Sequence, residues 1–200
     1  MQEKLCSSSG VNLTGARLAG IDLRGLGMSR VKLAGADLRG ADLSSADLSE
    51  ANLEGAILSE VKLEGAILCE ANLSSAKLEG SNLKDASLEG AALSKANMSG
   101  AKAEGVNLQG ASMQDAILSE ANLSAAKLEA SIMQRADLAG EILSKANLSS
   151  AKLEGSNLQR ANLEGATLSK TNMSGATAEG ANLQGTSMQD VEEIWLRQAW

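Results

Sequence analysis

The side chains able to make or break bonds in this chain are serines, carboxylates, lysines and two thiols, Cys6 and Cys69; histidine and tyrosine are absent. Without histidine the common general base is missing, and with it Ser-His and Cys-His pairs and histidine metal sites. The serines recur at corner positions, where Ser is an ordinary turn residue. The 25 acids are scattered among 18 bases. Asp37 and Asp42 flank one corner, and they read as solvated surface, not as an acid–base pair. Gly15, Gly20 and Gly25 follow a five-residue period and do not form a G-x-G-x-x-G phosphate loop. No catalytic residue, cofactor-binding residue or metal ligand is assigned, and the chain reads as a non-enzyme.

What could position such residues is a repeat. Thirty-six pentads run without a slip from Val11 to Asp190. Their central residue is Leu 28 times, Met six times and Ala twice, at Ala103 and Ala178. Two places earlier stands a small residue, Ala in 24 of the 36. Ala36-Asp-Leu-Arg-Gly, Ala41-Asp-Leu-Ser-Ser and Ala161-Asn-Leu-Glu-Gly show the unit. In a helix a five-residue step turns about 140° beyond a full turn, so the leucines would spiral and leave no apolar stripe. Coiled coils need a spacing near 3.5 and leucine-rich repeats need unequal spacings. In an extended segment, residues two apart share a side, so Ala and Leu both face inward. The other three residues are mostly corner formers. Each pentad is then one short extended piece and one turn.

A single Ala/Leu pair buries nothing alone, so the pieces must close on themselves. The unit resembles the A-(D/N)-L-X-X motif of the pentapeptide-repeat family, from Val11 to Asp190. That resemblance implies an all-β fold, a right-handed quadrilateral β-helix (a solenoid) with four pentads per coil. Nine coils would stack at about 4.8 Å into a rod of roughly 40 Å. The chain divides into a lead-in, 1–10, the solenoid, 11–190, and a C-terminal helical segment, 191–200. With no Phe at the centre, the core should be narrow and uniform. On this geometry Cys6 and Cys69 lie about three coils apart, roughly 14 Å, beyond the ~7 Å Cα limit of a disulfide.

No apolar run approaches the ~18 residues of a membrane span, and the first residues lack the basic and apolar regions of a signal peptide. The expectation is a cytoplasmic protein with no membrane contact and no cofactor. Burial per residue is small because Ala supplies much of the apolar content, so stability must come from repeated neighbour stacking.

The segment Ala71–Asp115 recurs as Ala146–Asp190 with 37 of 45 positions identical. The 75-residue offset is three coils and three pentads, so the second copy is rotated by one face. Ala66-Ile-Leu-Cys-Glu is echoed by Ala116-Ile-Leu-Ser-Glu on the opposite face. The copying kept the pentad and ignored the face, which suits a repeat retained for folding, whether amplified or engineered.

The net charge of −7 excludes the basic footprint of a nucleic-acid binder. The faces starting at Val11, Ala16, Ile21 and Leu26 carry +1, −2, −2 and −3, and bases such as Lys102, Lys145 and Lys152 interrupt the acids. Outward isoleucines (Ile57, Ile67, Ile117, Ile132 and Ile142) lie on several faces and form no contiguous patch. The expected role is a rigid structural or protein-interaction scaffold for an unidentified protein partner. The alternative implied by the resemblance is an acidic DNA mimic that binds a type II topoisomerase (gyrase) and protects it from inhibitors.

After Asp190 the period stops. Asp190 and Glu193 fit a capping box; Val191, Ile194 and Trp195 share one helical face, as do Leu196 and Trp200. These five residues are the candidate contact, either a cap on the last coil or a homodimer interface, as the resemblance implies. At the other end, the edge at Val11 and Leu13 has little to cover it. Within the core, Ala103 and Ala178 should leave voids. Glu141 occupies an inward Ala place, where an unpaired carboxylate is costly; the expectation is a distorted corner, an outward Glu141 or a partner for it.

Overall fold

The computed structural model describes residues 10–191. Each pentad from 11 to 190 is an extended piece with one bridging residue followed by a two-residue turn. The bridging residue pairs in parallel with the residue twenty positions on, from Asn12 with Lys32 to Thr167 with Ser187. One coil is therefore four pentads. Coil 1 is 11–30, each later coil adds twenty residues, and coil 9 is 171–190. Because each pentad has a single paired residue before the chain turns, no strand lengthens.

Two kinds of backbone hydrogen bond build the lattice. Between coils, the Leu33 N–H donates to Asn52 O at 2.7 Å and the Asn52 N–H to Val31 O at 2.9 Å. Within each corner the next pentad's first N–H returns to the Leu carbonyl, as Ala36 to Leu33 at 3.0 Å. Every fifth residue from Gly10 to Asp190 has positive φ, the geometry of a type II turn. Eighteen of these are not glycine, Arg30, Glu60 and Ala125 among them. The repeated hydrogen bonding holds them where an L-residue is ordinarily disfavoured.

The first and third residues of each pentad point inward, as the alternation requires, and from coil 2 to coil 8 all are buried. The central leucines and methionines stack in columns on the small residues beside them. At the ends the core opens. Val11, Leu13, Leu18, Ile21 and Leu26 in coil 1 are only partly buried, as are Ala176, Ala178, Ala181, Leu183 and Met188 in coil 9. Val191 packs partly buried against the core.

The expectation for Glu141 is corrected. Glu141 neither turns outward nor finds a partner: it is 0 % exposed, and both carboxyl oxygens lack hydrogen bonds. Nor is its corner distorted, since its N–H still donates to Leu138 O at 3.2 Å and its carbonyl accepts from Asn162 N–H at 2.8 Å. The backbone lattice is stronger than the objection of one side chain, because each coil is pinned from both sides. Around Ala103 the inter-coil bonds keep their length, with Ala103 N–H to Asn122 O at 2.8 Å, so the coils have not closed in on the missing leucine.

Candidate functional site

Outward side chains were expected merely to be polar, but they do specific work. Every Asn or Asp in the place before the centre accepts, through Oδ1, the backbone N–H two residues on, as in Asn52 to Glu54 at 3.1 Å and Asp47 to Ser49 at 3.0 Å. The second residue of A-(D/N)-L therefore caps the turn that follows it, which is why short Asx side chains stand there. A second device was not foreseen. Glutamates in the first turn place accept from the Asn side chain eighteen residues on, one coil up: Glu79 from Asn97 at 2.9 Å, Glu104 from Asn122 at 2.7 Å and Glu129 from Asn147 at 2.7 Å. Its signal in the sequence was an Asn eighteen places after a Glu, invisible without the coil length.

Many of the carboxylates are engaged in such contacts. Asp37 and Asp42 form no catalytic pair: Asp37 holds the Arg39 guanidinium at 2.7 Å, and Asp42 accepts from Ser44 Oγ at 2.7 Å and lies 3.6 Å from Lys62. The Arg24 and Arg39 guanidinium hydrogen bonds hold the Asp22 and Asp37 carboxyls down to about 2. Arg30 to Glu50 and Arg135 to Asp115 are two-point ion pairs across successive coils. Cys69 is a free, half-buried thiol 3.2 Å from Ser87 Oγ. Among the described residues no cluster of three acidic, Cys or His side chains could hold a metal ion. Among them no helix is long and apolar enough to cross a membrane.

The expected contact residues fare unequally. Val191 is half-buried at the end of coil 9; Ile194, Trp195, Leu196 and Trp200, with Glu193 of the capping box, lie outside the described residues, as does Cys6. Ile67, Ile117 and Ile142 are exposed and Ile57 and Ile132 half-buried, spread over several coils and faces as the spacing predicts. Since Glu141 is inward, the Ile21 face presents one acid fewer than its sequence suggests.

A family model described as pentapeptide repeats matches residues 9–44, 46–85, 81–119, 121–160 and 156–191. The chain belongs to the pentapeptide-repeat family. Among solved structures, this pentapeptide-repeat protein is similar to HetL from Nostoc sp. strain PCC 7120, a pentapeptide repeat protein involved in heterocyst differentiation regulation. Identity is 33%, over 90% of this chain and 88% of that one, with a TM-score of 0.43. It is also similar to trypsin-treated QnrB1, a plasmid-mediated fluoroquinolone resistance protein, at 18% identity over 92% and 89% of the chains with a TM-score of 0.57. The QnrB1 likeness is one of fold. No curated protein matches the chain significantly.

Proposed function

We propose that this pentapeptide-repeat protein is a right-handed, non-catalytic rod serving as a rigid scaffold for protein–protein contact. The observation that carries this reading is the occupation of its outward groups. Asx side chains cap turns, several glutamates clasp the next coil, and Arg24, Arg30, Arg39 and Arg135 pair with neighbouring acids, so much of the polar surface stiffens the rod instead of assembling a reactive group. A stiff rod with small side chains offers long faces whose register a partner can read. The test is affinity capture on the intact chain and on a chain shortened by coils 6–9. A partner held by the intact rod and lost by the short one supports the scaffold; equal capture by both counts against it.

The second reading, an acidic ligand of a type II topoisomerase, is favoured by the acid excess and by the fold shared with QnrB1. Against it stand the bases on every face. Inhibition of gyrase supercoiling, or protection from a fluoroquinolone, at micromolar protein would put it ahead.

We assign to the segment 191–200 a role at the end of coil 9, either as its cap or as a homodimer contact, because the partly exposed core there needs cover and the segment's sequence carries both tryptophans. Light scattering on the full chain and on a chain lacking 192–200 separates the two. A monomer whose deletion aggregates supports the cap; a dimer whose deletion is a soluble monomer supports the contact. No change in mass or stability would refute both.

A further inference from the structure

The Glu141 side chain has no part in the scaffold lattice. Among the described residues it is the only buried side chain that ionises. The inward residues of its face in coils 6 and 8 (Ala121, Leu123, Ala161 and Leu163) and its inward neighbours Leu138 and Leu143 are all buried and uncharged. Both its carboxyl oxygens lack a partner. An ionised carboxylate cannot be sustained in such a place, and burial pushes this carboxyl well above its ordinary range.

Directly outside, the corner that precedes Glu141 borders a shallow groove. Ala139 and Gly140 line it together with Ser119 and Glu120 of coil 6 and Gln159 and Arg160 of coil 8. Gly140 has φ +67°, and a Cβ there would meet nothing within 4 Å, so no side chain braces the corner. Arg160 sits at the same corner one coil on, and among the described residues it makes no salt bridge.

The chain contains its own control for this arrangement. Seventy-five residues earlier, Ala66 stands in the place of Glu141 and Asp85 in the place of Arg160. The corner with an acid inside carries a base outside, where its counterpart carries an alanine inside and an acid outside. We propose that Glu141 is a two-position latch: protonated and held in the core in acid, ionised and turned out past Gly140 into the groove beside Arg160 as the pH rises. Turning out releases the backbone bonds at that corner, Asn162 N–H to Glu141 O and Ile142 N–H to Ala121 O, and so loosens coil 7 between coils 6 and 8.

The sign follows from the closed state holding the proton more tightly than the open one. Closure is fully stable below the ordinary glutamate range, and it weakens as pH rises towards the closed-state value. Over that interval the opening constant should climb about tenfold per pH unit. The charged groups around the exit are Glu120, which opposes the outward carboxylate, and Arg160, which favours it. Lys145 and Asp137 lie at the neighbouring corner and extended piece of coil 7.

The test is amide hydrogen exchange on the full chain from pH 5 to pH 9, corrected for intrinsic exchange. The Ile142 and Asn162 amides should open about tenfold more per pH unit, while the matched amides Ile67 and Ser87 stay flat. Glu141→Gln should abolish the slope; should that variant not fold, Glu141→Ala restores the residue found at Ala66 and serves instead. Arg160→Asp should lower the open population several-fold at neutral pH. A flat wild-type profile, or an equal slope without the carboxyl, overturns the latch. An unchanged profile in Arg160→Asp overturns the exit beside Arg160.

Discussion

The two copies of the long repeat, 71–115 and 146–190, differ at only eight of 45 positions, yet their equivalent residues live in different surroundings. Ala101, Ala103, Val106, Leu108 and Met113 of the first copy are buried. Their counterparts Ala176, Ala178, Ala181, Leu183 and Met188 are partly exposed. The pentads are nearly the same and so is the local backbone. What differs is the neighbour: coils 5 and 6 have a described coil on either side, coil 9 on one side only. Burial in a solenoid is a nearest-neighbour property, so sequence identity does not carry energetic identity with it.

The largest expected effect tests this directly. Leu108→Ala should cost about 2–5 kcal/mol as a fully buried leucine, and Leu183→Ala less than half as much, by denaturant titration of each. Equal costs would mean that coil 9 is covered as completely as coil 5. Filling the two alanine centres is the converse. Ala103→Leu restores the column between Leu83 and Leu123 and should stabilise by about 1–3 kcal/mol; Ala178→Leu should gain less, read as a smaller rise in melting temperature. A loss at Ala103 would show that the column has no space for the side chain.

A smaller contrast lies in the corners. Gly105→Ala and Gly180→Ala both place a Cβ at φ near +70°, costing about 1–2 kcal/mol. At Gly105 that Cβ would also fall 2.5 Å from Asp85 Oδ1, whereas at Gly180 the nearest atom is Arg160 Cγ at 3.6 Å. The first substitution should therefore be the worse by a margin that Asp85→Ala removes in a double-mutant cycle. The smallest effect separates the first coils from both copies. The Asp22 and Asp37 carboxyls are depressed to about 2, so their contribution is complete above the ordinary aspartate value and is lost as pH falls through about 2. Acid titration should melt Asp22→Asn/Asp37→Asn with a shallower limb than the parent chain.

The pentad register and the inward pair were legible because alternation in an extended segment has only one period, and thirty-six copies repeat it. Four pentads per coil was legible through the family resemblance and is met by the twenty-residue pairing. The turn-capping Asx and the Glu–Asn clasp were not, since both depend on distances across a corner or across a coil. Glu141 stands out in the sequence as an acid at an inward place, but its fate there is not legible from the pentad. A single corner would yield to a buried carboxylate, but the hydrogen bonds from coils 6 and 8 hold this one in place.

By itself, then, the sequence determined which residues face in, where the chain turns and that the unit repeats, because those follow from the period of an extended backbone and from the steric demands of a corner. Only the tertiary structure decided how deeply a given pentad is buried, which polar groups meet across coils and that an acid remains inside the core. Each of these depends on residues about twenty positions away, and a five-residue pattern carries no information at that distance until the chain has closed on itself.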